Sequence, residues 1–134
     1  MDYTKKKSLL AAAAVLLGAW GAVAIAQQAG FTRALLQDQE LSDATRHAVQ
    51  VRAEFEPGAA AGRHTHPGEE LGYVLEGTLL LEIDGKPPVT LKAGDVFFVP
   101  AGIVHDGKNV GSGPAKVFAT YVVEKGKPVA SPAK

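Results

Sequence analysis

The chain has 134 residues, with 14 Lys plus Arg against 14 Asp plus Glu and no cysteine. That length suits one domain with a single core, and the missing cysteine excludes disulfides, thiolate ligands and a cysteine nucleophile. Beyond Ala26 the counts fall to 11 basic and 13 acidic side chains, a net charge of −2 that argues against a nucleic-acid partner and leaves a small molecule as the expected one.

Residues 1–26 read as a signal helix. Lys5, Lys6 and Lys7 give the positive start, Leu9 to Ala22 the apolar stretch, and Ala24-Ile25-Ala26 the small-x-small pattern before a cleavage point at Gln27. The competing reading is an uncleaved anchor, because Ser8 to Ala26 is almost long enough for a hydrocarbon core of about 30 Å. Either way the rest of the chain is expected outside the cytoplasm, periplasmic or secreted, and at a membrane only if the leader is retained.

Residues 27–48 are expected to form an N-terminal arm, in which Thr32-Arg-Ala-Leu-Leu-Gln fits either an opening strand or a short helix. The main domain is expected over 49–124. Val49, Val51, Ala53 and Phe55 alternate with polar residues, the period of a half-buried strand that Pro57-Gly58 ends. Leu71 to Leu75 and Thr78 to Ile83 are apolar runs split by Glu76-Gly77. Asp84-Gly85 signals a hairpin with a type I′ turn, since both residue types tolerate positive φ. Val89 to Lys92, Asp95 to Val99 and Lys116 to Val123 read as further strands. Short strands separated by frequent turn signals predict an all-β sandwich or barrel. The tail, 125–134, carries Pro128 and Pro132 and is expected to fray or to lie along the surface.

Two clusters carry the chemistry. In the first, His64 and His66 share a face of an extended chain, and Glu70 keeps that parity while Glu69 points away. In the second, His105 follows Pro100-Ala-Gly102, and it completes a set of four if its strand lies beside the first cluster. Three imidazoles and a carboxylate suit first-row transition metals better than calcium, which prefers oxygen throughout. His47 lies outside both clusters and is expected to be an exposed polar residue. Arg63 and Lys108 flank the ligands, and each is either a solvated charge or a steering charge for an anionic substrate.

At both clusters the chain resembles the cupin superfamily. Gly58, His64, His66, Glu70 and Gly77 fit that family's first signature motif without a gap, and Gly94, Pro100, Gly102, His105 and Asn109 fit its second. The resemblance implies a single-domain, cupin-type jelly-roll β-barrel. It also implies one divalent transition metal (Fe, Mn, Ni, Co, Cu or Zn) held by His64, His66, Glu70 and His105. The motif glycines are expected at turns with positive φ or close backbone approach, and Asn109 is expected to hold a loop through hydrogen bonds to backbone.

Three functions follow. In an enzyme, a metal-dependent oxygenase such as a dioxygenase, or a related lyase or isomerase, the metal acts as Lewis acid or as the meeting place of substrate and dioxygen, with Glu70 as catalytic proton acceptor. In a binding module the same centre captures a small ligand without turnover. In a structural barrel the metal only braces the fold. A homodimer is expected, through an exposed strand edge or the segment Phe31 to Leu36.

Overall fold

The computed structural model describes residues 28–134; the signal helix expected over 1–26 lies outside them. Ten strands follow in order: β1 Phe31–Glu40, β2 Arg46–Phe55, β3 His64–Thr65, β4 Gly68–Glu76, β5 Thr78–Ile83, β6 Val89–Lys92, β7 Val96–Val99, β8 His105–Asn109, β9 Ala115–Glu124 and β10 Ser131–Pro132. They form two antiparallel five-stranded sheets, ordered β1-β2-β9-β4-β7 and β10-β3-β8-β5-β6. These are the two walls of the expected jelly roll.

The spine of the first wall is the pair β2 and β9, in unbroken register from Arg46 opposite Glu124 to Phe55 opposite Ala115. Both strands alternate buried and less buried residues, so Val49, Val51, Ala53 and Phe55 meet Val117, Ala119, Tyr121 and Val123 in the core. Each fully buried large apolar side chain contributes about 1.5–3 kcal/mol. A second cluster, Val74, Leu81, Ile83, Leu91 and Val99, fills the other end, and Phe97 packs against both.

The ambiguous segment after Gln28 is a strand. β1 runs antiparallel to β2 from Phe31 opposite Phe55 to Glu40 opposite His47, with a register shift between Leu35 and Gln37. It is an edge strand whose residues beyond Arg33 are exposed, so it lacks the alternation that would reveal a half-buried strand. Phe31 is buried against Phe55, at 4.7 Å between ring centroids. It therefore belongs to the protein's own core, and of the segment proposed for dimer contact Leu35 and Leu36 remain as the exposed large apolar side chains.

The hairpin at Asp84-Gly85 is present, joining β5 to β6, but its turn is not type I′. Gly85 has φ +80°, no non-glycine residue among those described has positive φ, and Lys86 N–H donates to Ile83 O at 3.0 Å. Positive φ at the third turn position alone is the type II pattern. The tail lies along the surface and is tied down there. Ser131 and Pro132 pair with Thr65 and His64, Ala130 is buried, and Ala133 N–H donates to Arg63 O.

Candidate metal centre

The two ligand-bearing segments meet through backbone pairing. His64 on β3 stands opposite His105 on β8 in the second wall, while Glu70 on β4 belongs to the first. The chain thus crosses between walls at His66-Pro67 and does not continue as one strand. The crossing keeps all four side chains facing inward. His64, His66, Glu70 and His105 are buried, at 6%, 3%, 6% and 3% exposure, and one ligand atom from each lies within 4.8 Å of the others.

Each imidazole is oriented by a backbone carbonyl. His64 Nδ1 bonds Gly62 O at 2.6 Å, His66 Nδ1 bonds Val129 O at 2.5 Å, and His105 Nδ1 bonds Ile103 O at 3.0 Å. A carbonyl only accepts, so each Nδ1 carries its proton and each Nε2 presents a lone pair toward the interior in the neutral ring. Glu70 Oε2 lies 3.0 Å from His105 Nε2 and 3.2 Å from His66 Nε2. His66 Nε2 is buried with no properly aligned hydrogen-bond partner. A buried, orphaned lone pair beside two more and a carboxylate is a donor set made for a cation. Ligand bonds of about 2.0–2.2 Å would place opposite donors about 4 Å apart, close to the spread observed.

Electrostatics prepare the same state. Burial first, then the neighbouring His105, pushes the His64 imidazole down to about 3, so the ring stays neutral and able to ligate at ordinary pH. Burial alone raises the Glu70 carboxyl, but its close contacts with His105 and His66 outweigh this and bring the group down to about 2. Tyr121 stands directly across from Glu70 on β9 and is buried. Burial, reinforced by the Glu70 charge, raises its phenol well above the usual tyrosine range, so it remains a neutral donor beside that carboxylate.

The neighbouring expectations resolve in turn. Glu69 points outward and pairs with Arg46 at 3.0 Å. His47 is half-buried rather than exposed, with its Nδ1 2.6 Å from Asp38. Arg63 is paired with Asp84 at 2.9 Å and Lys108 is exposed, so neither points a free charge at the centre. Asn109 is fully buried and uses both ends of its amide. Its Nδ2 donates to Phe55 O and Gly113 O, and its Oδ1 accepts from Gly111 N–H. The motif glycines Gly58, Gly77, Gly94 and Gly102 all have positive φ. Of Phe97 and Phe98, the first turns inward and the second is half exposed.

A cavity of about 30 Å³ opens beside the ligands. Apolar side chains, among them Phe31, Phe55, Leu79 and Phe97, make most of its wall, and His64, Glu70, His105, Tyr121 and Arg33 supply the polar groups. Arg33 was not singled out by the sequence. It lies in the segment whose conformation was ambiguous, far from either motif.

Residues 51–123 match the family described as Cupin domain. The chain belongs to the cupin family. A germin-like protein of Arabidopsis thaliana, subfamily 2 member 1, is 43% identical over 75 residues, which are 52% of this cupin and 34% of that protein. The oxalate-binding protein of Thermotoga maritima is 36% identical over 74 residues, 54% of this cupin and 60% of that chain. Among solved structures, one described as a predicted oxalate decarboxylase from Thermotoga maritima superposes with a TM-score of 0.60 at 31% identity, covering 69% of this cupin and 80% of that chain. The cupin spans only 34–35% of the length of the germin-like proteins of Arabidopsis thaliana and rice that match over 75 or 76 residues.

Proposed function

We propose that this cupin holds one divalent transition metal through His64, His66, Glu70 and His105 and acts there on a compact, oxygen-bearing small molecule. The observation that supports this is the convergence of three Nε2 lone pairs and one carboxylate on a buried point, with every Nδ1–H already committed to a carbonyl. The bound ion would supply a Lewis acid for a substrate oxygen or a place where substrate and dioxygen meet. The protein's own groups do the rest. The apolar wall excludes water, Glu70 accepts a proton at its carboxylate, and the Tyr121 phenol remains a donor beside it. Oxalate in the names of two relatives supports a small carboxylate as ligand.

Turnover as an oxygenase, lyase or isomerase is the first form of this reading. Capture without turnover is the second, favoured because, among the described residues, Glu70 is the only carboxylate lining the cavity and is itself one of the four proposed ligands. Elemental analysis of the purified protein should find one first-row metal per chain, and chelation should lower its melting temperature. At a free metal concentration a hundred times its Kd, a bound ion adds about 2.7 kcal/mol. A protein that takes up no first-row metal and melts unchanged with or without chelator overturns the reading. Oxygen uptake by iron- or manganese-loaded protein on adding oxalate separates an oxygenase from the binding form.

Export rests on the sequence of residues 1–26. We further propose a homodimer in which a second copy covers the outer face of β4 and β7. There Leu71 and Tyr73 stand opposite Phe98 and Val96, all four are at least 43% exposed, and β7 is an unpaired sheet edge. Gel filtration at the mass of one chain defeats that assembly.

A further inference from the structure

The described residues contain four arginines, and three are neutralised by a carboxylate: Arg46 by Glu69, Arg52 by Glu54 and Arg63 by Asp84. Arg33 has no such partner among the described residues, although it is the one closest to the centre. Its Nη2 lies 3.4 Å from His64 Nε2, its guanidinium rests over the Phe31 ring at 4.8 Å, and its Nε is buried with no hydrogen-bond partner. A half-buried guanidinium with an orphaned N–H is costly unless something accepts from it. Its nearest polar neighbour is an imidazole nitrogen that, on the reading above, faces a metal. A guanidinium beside a bound divalent ion would call for an anion between them.

The surroundings limit what that anion is. Arg33 lines both the 30 Å³ inner cavity and an outer one of about 210 Å³, whose other lining residues include His64, Arg63, Gln28 and Pro132. Among the described residues no Asp or Glu lines the outer cavity, and with Arg63 already paired to Asp84, Arg33 is the unpaired guanidinium that an anion meets there. The inner cavity has room for about two water-sized groups, since each needs roughly 10–15 Å³. Its walls are mostly apolar, so few other donors compete with Arg33. The planar fork of a guanidinium matches a carboxylate in two parallel hydrogen bonds, which an ammonium does not offer.

We propose that Arg33 is the specificity-determining residue of the pocket, receiving a carboxylate of a two- or three-carbon acid whose remaining oxygen atoms reach the centre of His64, His66, Glu70 and His105. This rests on the metal reading and the small carboxylate proposed with it, and adds the residue that selects compact carboxylates over neutral chelators and over ring-sized ligands.

The test uses the manganese-loaded full-length protein, with calorimetric titration of oxalate, glycolate and the neutral counterpart glycolamide. Metal content is measured on every sample. Wild type should bind oxalate and glycolate and discriminate against glycolamide. Arg33→Gln should lose at least about tenfold in oxalate affinity while retaining its metal, and Arg33→Lys, which keeps the charge and the stem over Phe31, should recover only part of the loss. The electron paramagnetic resonance signal of manganese should shift on adding oxalate to wild type and shift less in Arg33→Gln at the same concentration. Metal retained but oxalate affinity within twofold of wild type in Arg33→Gln overturns this proposal and leaves the metal reading intact. Equal binding of glycolate and glycolamide by wild type does the same. A wild-type protein that takes up no manganese or other first-row metal overturns both.

Discussion

His64 and His105 stand opposite each other in the register of β3 and β8, with ring centroids 4.3 Å apart. β3 is only two residues long, yet it is flanked by β8 on one side and β10 on the other. The ladder therefore sets the distance between the histidines drawn from the two motifs.

Removal of either partner in this pair should disable the centre without unfolding the barrel. His105→Ala takes away one of four donors and the nearest neighbour of the Glu70 carboxylate. Metal affinity should fall more than the 10–100-fold expected for losing a group that only orients a ligand. His47→Ala, at a histidine engaged with Asp38 instead, should leave affinity within about threefold of wild type, which is under 1 kcal/mol. Competition against a chelating dye measures both. Equal affinities for the two variants would remove His105 from the ligand set.

The tail should matter to the centre although it contributes no ligand. Val129 O accepts from His66 Nδ1, and Pro132 pairs with His64, so the segment after Lys125 orients two of the four ligands through its backbone. Truncation after Lys125 should weaken metal binding about 10–100-fold. The nine buried core residues of β2 and β9, such as Val51 and Val117, should keep the rest of the barrel folded. A truncated protein with wild-type affinity would show that His66 needs no carbonyl to hold its tautomer.

What the sequence revealed and what it hid divide along one physical line. The convergence of His64, His66, Glu70 and His105 and strands β2, β4, β5, β6, β7 and β9 were legible because each is written as a local spacing: a period of two, a turn residue, a motif glycine. β10 and the carbonyls of Gly62, Ile103 and Val129 were not, because a backbone group that orients a histidine leaves no mark on residue identity. Arg33 was hidden for a related reason. Most of β1 is exposed, so its sequence carries no alternation, and a charged residue there reads like any solvated arginine. Asp84 shows the opposite error, since its residue type permits positive φ but the turn needs it only at Gly85.

Two glycines that look alike in sequence should respond differently to alanine. A Cβ on Gly68 would sit 1.9 Å from Val122 O, inside the β4 and β9 pairing and two residues from Glu70. Gly68→Ala forces the strands apart, and we expect it to cost about 2–4 kcal/mol, as overpacking at an unyielding site does. A Cβ on Gly85 meets nothing within 4 Å, but φ there is +80°. Gly85→Ala should cost only the left-handed penalty of about 1–2 kcal/mol. Urea denaturation measures both, and metal affinity should fall only in Gly68→Ala.

Acid should destabilise the metal-free barrel, with two groups acting in the same direction. Buried His64 protonates only near about 3 when folded, against 6.5 in an unfolded chain. Between those values the unfolded state binds more protons, so stability rises with pH and this contribution is complete only above 6.5. Glu70 behaves likewise over a lower window. Its folded value of about 2 lies below its unfolded 4.5, so its contribution is full above 4.5 and is lost as pH falls toward 2. The urea midpoint of chelator-treated protein should therefore drop progressively from pH 7 to pH 3. His64→Leu should flatten the part of that slope between pH 6.5 and 4.5, because the group that must stay neutral is gone. A bound divalent ion steepens the acid dependence of unfolding, since any histidine that takes a proton ceases to be a ligand. Manganese-loaded protein should consequently be the more stable form at pH 7 and converge on the metal-free form as the pH approaches 4. Identical slopes for wild type and His64→Leu would mean that His64 is not held neutral by burial.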